Sequence, residues 1–282
     1  MPGRQPGFDP VPIEPGPIRL LDGPDGRRLR YLDLGAADWT PFVFFGGLAT
    51  SVGAFGLTEF ARRTRESLGL RAISVERNGL GETPLAPALG YPAAVDDVLW
   101  VLGALGIDSF SLVAISGGGP FAAALAARTP ERVRSLHLAS AAAGALAGTH
   151  GEAAARLADI ATLAGYPAAM WEFPAHSPVH AIPGFMDAAR AEGIRALPPG
   201  RGELALRHEW QLLSGEPLPD LSAVQAPAYL YWGAEDEVVP SVHAEVWARA
   251  LPNVVASHEY PGEGHDVQYR HWAQILRDLA EA

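Results

Sequence analysis

Phe110-Ser-Leu-Val-Ala-Ile-Ser116-Gly-Gly-Gly-Pro120 is a short apolar run that ends in one serine, followed by three glycines and a helix-compatible stretch from Phe121 to Arg128. The pattern predicts a buried parallel strand that turns abruptly into a helix, with a hydroxyl at the apex. The glycines allow the turn to close where a Cβ would clash. A serine held in this way is exposed and close to a helix N-terminus. It becomes a nucleophile if a base reaches it, and otherwise it serves as a helix cap.

Outward from this segment the same alternation continues. Residues 18–21, a turn rich in Gly and Asp at 22–26, and residues 28–34 read as a β-hairpin. Apolar strand segments follow at 42–45, 71–75, 110–115, 133–138, 228–232 and 254–260, with helical periodicity at about 52–68, 94–105, 119–128, 242–251 and 267–280. Strands of this kind alternating with helices predict an α/β fold, its mostly parallel sheet covered on both faces, with the hairpin as an antiparallel edge.

Residues 141–221 break the rhythm. They carry no strand pattern, only Ala- and Leu-rich helical stretches interrupted by Pro167, Pro174, Pro178, Pro183 and Pro198-Pro199. Met170, Trp171, Phe173, Phe185, Met186 and Trp210 give them many apolar groups. They read as surface helices on the sheet or as a helical lid over a pocket, and so long an insertion at one junction favours the lid. The expected organisation is an N-terminal arm at 1–17, a core of 18–140 and 222–282, and a lid at 141–221.

Composition narrows the chemistry. Of 282 residues, 48% are apolar and 19% charged, enough for a large core. The formal charge of −11 argues against a nucleic-acid or anionic-membrane partner. No run reaches the ~20 apolar residues of a membrane span. Residues 1–17, rich in Pro and Gly, do not read as a signal peptide, so a cytoplasmic location is expected. Cysteine is absent, which removes disulfides, thiolate nucleophiles and cysteine-bound metals. Lysine is absent too, since all 21 basic residues are arginine. That removes Schiff-base chemistry and a Ser-Lys dyad, because arginine stays protonated.

In an open parallel sheet, ligands bind beyond the carboxyl ends of the strands. Strand 42–45 ends in Gly46-Gly47-Leu48, and strand 110–115 in Ser116-Gly117. Strand 228–232 leads into Gly233-Ala-Glu235-Asp236-Glu237, and strand 254–260 into Gly264-His265-Asp266. A hydroxyl, a carboxylate and an imidazole thus fall in chain order at one sheet edge. Glu235, Glu237 and Asp220 rival Asp236 as the acid. Asp266 reads as a helix N-cap. Among the other histidines, His137 and His243 read as structural and His150, His176, His180 and His208 fall in the lid segment. His258 lies within the last strand and His271 in the final helix.

These motifs resemble a serine hydrolase of the α/β-hydrolase superfamily, over about residues 18–282. Ala114-Ile-Ser116-Gly-Gly118 matches the nucleophile elbow, Gly233-Ala-Glu-Asp236 the acid turn and Gly264-His265 the base. Glu76-Arg-Asn-Gly-Leu-Gly-Glu-Thr83 is similar to the loop after the fourth strand, usually Asp-x-x-Gly-x-Gly-x-Ser. The resemblance implies that Ser116 attacks an acyl carbon, His265 is the base and Asp236 orients it. It further implies an oxyanion hole from the N–H groups of Gly117 and Gly47. The chain departs from the pattern at Phe45, where relatives usually place a histidine that ties down the oxyanion loop, and at Ala114, usually glycine.

The expected activity is cofactor-free cleavage of an ester, lactone or thioester of a largely apolar small molecule. Phe45, Leu48, Trp171, Phe173 and Phe185 are expected to line the pocket. Acyl transfer, cyclisation or carbon–carbon cleavage with the same residues remains open, as does a non-catalytic ligand-binding role. Epoxide or haloalkane chemistry is disfavoured, since those relatives place Asp where this chain has Ser116. The expected partner is a small-molecule substrate, and the oligomeric state stays open.

Overall fold

The computed structural model describes residue 13 and residues 16–23, 26–144, 171, 173–216 and 219–282. Most of the predicted arm and a large part of the 141–221 segment, including Met170 and His150, lie outside the described residues. The strands are β1 (Arg19–Asp22), β2 (Arg28–Leu34), β3 (Thr40–Phe45), β4 (Leu70–Val75), β5 (Phe110–Ile115), β6 (Val133–Ala139), β7 (Ala228–Gly233) and β8 (Val254–Tyr260). They form one sheet in the order β1-β2-β4-β3-β5-β6-β7-β8. β1 and β2 run antiparallel to their neighbours, and every pairing from β4 to β8 is parallel. The antiparallel edge is where the hairpin reading placed it.

Side chains along the central strand alternate between two cores, as a pleated strand covered on both faces requires. Phe110, Leu112 and Ala114 of β5 join one apolar core, and Val113 and Ile115 join the other. The first core is closed by α2 (Tyr91–Ala104), α3 (Gly119–Arg128) and α6 (Val242–Ala250). The second is closed by a 3-10 segment, Val52–Ala61, which continues into α1 (Arg62–Ser67), and by the C-terminal helices α7 (Val267–Arg270) and α8 (Trp272–Glu281). Phe42, Phe44, Phe55 and Trp272 pack there in tilted and edge-on contacts.

Two helices differ from the periodicity reading. The helix expected over 52–68 begins as ten residues of 3-10 winding, all buried. Gly53 and Gly56 weaken its α propensity. The helix expected over 267–280 is interrupted at His271. The imidazole there stacks on Tyr260 at 3.6 Å and pairs with Glu263 at 2.8 Å.

Between β6 and β7 the described residues contain α4 (Phe185–Ala196) and α5 (Gly202–Gly215) and no strand. No helix among the described residues is long and apolar enough to cross a membrane.

The turn from β5 into α3 is as tight as its glycines imply. An ideal Cβ on Gly118 would fall 2.5 Å from the carbonyl oxygen of Phe45 and 2.7 Å from that of Gly46. Neither backbone oxygen can step aside as a flexible side chain would. Gly118→Ala is therefore expected to lower stability by about 1–3 kcal/mol in urea unfolding, and an unchanged midpoint would contradict this packing.

Candidate active site

The parallel register brings the C-terminal ends of β3, β5, β6, β7 and β8 to one edge of the sheet. Among the described residues, three non-glycines have positive φ: Ala49 (54°), Ser116 (51°) and Ser140 (44°). All three lie just beyond strand ends at that edge. Left-handed backbone at a non-glycine residue is strained and persists only where the surroundings enforce it. At Ser116 the carbonyl accepts the N–H of Ala142 at 2.8 Å, which ties the turn to the chain leaving β6.

Ser116 Oγ lies 3.0 Å from His265 Nε2, and His265 Nδ1 lies 2.8 Å from Asp236 Oδ2. A carboxylate only accepts, so Nδ1 carries the proton and Nε2 is left to accept from the serine hydroxyl. The other oxygen of Asp236 accepts the N–H groups of Val238 (2.9 Å) and Val239 (2.8 Å). These bonds fix the carboxylate in the turn after β7. Gly233 makes the approach of acid and base loops possible. A Cβ there would collide with the carbonyl oxygens of Glu263 and Gly264, the residues that lead into His265.

Burial pulls the His265 pKa down, but the charge and hydrogen bond of Asp236, helped by Asp266, more than reverse this and hold it above the ordinary value. At Asp236 burial pushes upward, and His265 with the Val239 N–H outweighs it, leaving that carboxyl below its usual range. A hydroxyl, a neutral imidazole nitrogen and an orienting carboxylate in this order can activate an oxygen nucleophile.

The rival groups stand elsewhere. Glu235 and Glu237 are exposed at the cavity rim, and Asp220 is an exposed carboxylate bonded to Ser222. His137 is buried between β-strand neighbours, bonded to Tyr231 Oη and Ser135 Oγ and stacked on Tyr229. Burial lowers its pKa to about 3, so it stays neutral. His243 Nδ1 accepts the Ala143 N–H at 3.0 Å, and His208 Nε2 meets the Leu89 carbonyl at 2.9 Å. Asp266 sits at the N-cap position of α7 but makes no side-chain cap bond. Its Oδ2 instead accepts from Ser177 Oγ, and from Arg270 Nε at 3.0 Å, so it joins the helical segment to α7 beside His265.

Above Ser116 lies a cavity of about 410 Å3, reached by Gly47, Gly117, Ser116 and His265. Leu48, Ile115, Trp171, Phe173, Leu213 and Val239 supply most of its apolar wall, and Gln268 and Tyr269 were not anticipated. Two expected pocket residues do not line it. Phe45 points into the opposite core, stacked on Phe121 at 6.3 Å between centroids. Phe185 is fully buried one layer back, edge-on to Tyr269 at 5.0 Å and to Phe173 at 5.5 Å. Phe45 is the last residue of β3, and its register opposite Ala114 sends both side chains to the face away from Ile115.

The loop after β3 runs beside the serine. A Cβ on Gly47 would lie 3.4 Å from Ser116 Cβ, and one on Gly117 would lie 2.7 Å from the nitrogen of Leu48. The backbone of Leu48 thus leaves no room for a side chain at Gly117. No three His, Asp or Glu side chains among the described residues converge as metal ligands.

The sequence profile described as alpha/beta hydrolase fold matches residues 40–271. The chain is 27% identical over 263 residues to the dihydrolipoyllysine-residue acetyltransferase component of the acetoin cleaving system of Pseudomonas putida. That match covers 90% of this chain and 66% of the relative, so the chain spans just under two thirds of that protein's length. Similar solved structures include an esterase from Rhodococcus sp. ECU1013 (TM-score 0.74, 19% identity, covering 94% of this chain and 98% of that one). A hydrolase from Pseudomonas aeruginosa PA01 gives 0.73 at 19% identity (95% and 99%), and an enol-lactonase from Burkholderia xenovorans LB400 gives 0.73 at 17% (93% and 98%). At these identities the likeness is one of fold.

A base must be neutral to accept a proton, so if His265 serves as the base, activity is lost as pH falls through its pKa. With that pKa raised, the acid limb of kcat/KM is expected above about 6.5, the ordinary histidine value. Asp236→Asn should shift the His265 midpoint downward in a proton NMR titration and lower kcat on the order of 10⁴-fold. A midpoint unmoved by that substitution would show that Asp236 does not act on His265.

Proposed function

Because the chain belongs to the α/β-hydrolase fold family, we propose that it is a serine hydrolase. The observation that carries this reading is the hydrogen-bonded series Ser116–His265–Asp236 at the floor of the cavity. Ser116 Oγ forms a bond to the acyl carbon while its proton passes to His265 Nε2. The same proton goes to the leaving group as the bond from carbonyl carbon to that group breaks. Water then releases the acyl group by the same steps in reverse. Asp236 stabilises the imidazolium throughout and itself stays ionised.

The developing oxyanion is received by backbone N–H groups: that of Gly117, and that of Gly47 or its neighbour Leu48 in the loop after β3. Gly47 and Leu48 both line the cavity beside Ser116. The substrate is an ester, lactone or thioester of a largely apolar small molecule. The walls of Leu48, Ile115, Trp171, Phe173 and Leu213 support that choice, and the esterase and enol-lactonase neighbours fit it. The described residues of segment 141–221 act as a lid, a role supported by Trp171, Phe173, Pro174 and Leu213, which they contribute to the wall.

One observation favours a second reading. The acetyltransferase component of Pseudomonas putida raises acyl transfer with the same residues, the acyl group passing from Ser116 to an alcohol, thiol or amine in place of water. Product analysis with and without a competing nucleophile separates the two.

Ser116→Ala is expected to abolish turnover of chromogenic esters and to prevent the mass increase given by a fluorophosphonate probe, with the fold unchanged by circular dichroism. Undiminished turnover in that variant would eliminate the covalent mechanism.

A further inference from the structure

Residues 46–51 connect β3 to the 3-10 segment through a stretch that is largely buried yet belongs to neither helix nor strand. Buried backbone of this kind must find side-chain partners. Arg77, just past β4, serves the carbonyls: Nη1 donates to Gly46 O at 2.9 Å, and Nη2 to Gly47 O at 2.6 Å and Thr50 O at 3.2 Å. Glu209 on α5 accepts the Ala49 N–H at 2.6 Å, Glu192 on α4 the Ser51 N–H at 2.7 Å, and Glu76 the Val52 N–H at 2.6 Å. Arg77 Nε lies 2.8 Å from Glu209 Oε1, an ion pair not aligned as a hydrogen bond, while Nη2 reaches Glu209 Oε2 at 3.4 Å. The guanidinium also sits 4.9 Å from the centre of the Phe121 ring, which Phe45 backs from the sheet.

The orientation of two peptide groups follows. In a trans peptide the carbonyl and the N–H point in opposite directions, and no cis bond occurs among the described residues. With the Gly46 and Gly47 carbonyls drawn to Arg77, the N–H groups of Gly47 and Leu48 are turned the other way. Gly47 and Leu48 line the cavity with Ser116, and Arg77 does not. The geometry points to Arg77 as the positioning residue of the oxyanion-binding loop, with Glu209 tying that loop to α5, whose Leu213 forms part of the cavity wall.

A planar fork is needed here. One guanidinium reaches three carbonyls and a carboxylate at once, where an ammonium is a single point charge. Arg77 and Glu209 are 7% and 3% exposed, so bulk salt screens their pairing little. The inference rests on the reading of Ser116 as nucleophile and adds to it a residue that touches neither substrate nor reacting atoms.

The test compares Arg77→Met, Arg77→Lys and Glu209→Gln with the parent chain on a p-nitrophenyl ester. Active sites are counted by exhaustive fluorophosphonate labelling and intact mass, and folding is checked by circular dichroism. Loss of loop orientation is expected to lower kcat per site about 100-fold or more in Arg77→Met, at a KM within about threefold of the parent. Labelling should slow in parallel, because the phosphonyl oxygen occupies the same hole. Arg77→Lys should recover part of the loss. Glu209→Gln, which keeps an acceptor for Ala49, should lose less than Arg77→Met.

A role in stability alone would lower the melting temperature and leave kcat per site unchanged. Folded Arg77→Met with kcat within about threefold of the parent, or with its loss confined to KM, overturns the inference. If Arg77→Met does not fold, an unchanged kcat in Arg77→Lys overturns it equally. Ser116→Ala measured alongside separates the two readings. Turnover surviving there overturns the nucleophile and this inference together, whereas turnover lost there but kept in folded Arg77→Met overturns this inference alone.

Discussion

Backbone packed directly against backbone at the carboxyl edge of the sheet is the constraint from which the site follows. Gly118 sits against the carbonyls of Phe45 and Gly46, Gly117 against Leu48, and Gly233 against Glu263 and Gly264. Each contact joins two loops with no room for a Cβ, and each joins loops that carry different members of the site. The 3.0 Å and 2.8 Å separations in the Ser116–His265–Asp236 series depend on these approaches, since a side chain in any of them would push the loops apart by more than a hydrogen bond tolerates. The strained φ of Ser116 is held in the same way, by neighbours that leave the turn no other course.

Around this scaffold the protein accepts a costly buried arrangement. Glu76, Glu192 and Glu209 are all drawn to one loop, and Arg30, Arg77 and Arg195 are among their arginine neighbours. Burial raises the pKa of all three acids, that of Glu76 to about 7, with Glu192 adding to the effect and the Val52 N–H and nearby arginines opposing it. Keeping Glu76 ionised at a pH well above 7 therefore costs on the order of 3 kcal/mol relative to the unfolded chain. Arrangements of this kind seldom add net stability. What they do supply is acceptors for the Ala49, Ser51 and Val52 N–H groups, which no helix or strand bond satisfies.

Much of the fold could be read in the sequence, because short near-continuous apolar runs between turn signals report buried parallel strands directly. Every strand from 42–45 to 254–260 was placed within two residues, and the elbow, acid turn and base loop followed from asking what lies beyond each strand end. Reading side-chain direction was harder. Phe45 adjoins the glycines after β3 and Phe185 lies in the apolar 141–221 segment, yet one belongs to the opposite face of the sheet and the other to a layer behind the wall. Nothing local distinguishes a cavity wall from the layer that supports it. Asp266 had the composition of a helix cap, but its carboxylate is bonded by Arg270 one turn along and by Ser177 from a distant segment.

Glu192 and Glu209 carried no legible signal, and Arg77 was legible only as part of the Glu76–Thr83 loop motif, without its role; the reason is physical. Helix and strand are stabilised by bonds whose period is written in nearby residues, whereas an irregular buried loop is stabilised by whatever polar groups the tertiary fold brings to it. Here those groups come from 27 to 160 residues away in sequence, on two helices and the end of a strand. The position of Phe45 pointed to the problem without its solution, since a phenyl ring cannot hold a loop by hydrogen bonds. The ring's contribution is indirect: it backs Phe121, and Phe121 offers its face to the guanidinium that does the holding. A group missing from one position in the sequence has thus been supplied from another by geometry, which a linear pattern cannot record.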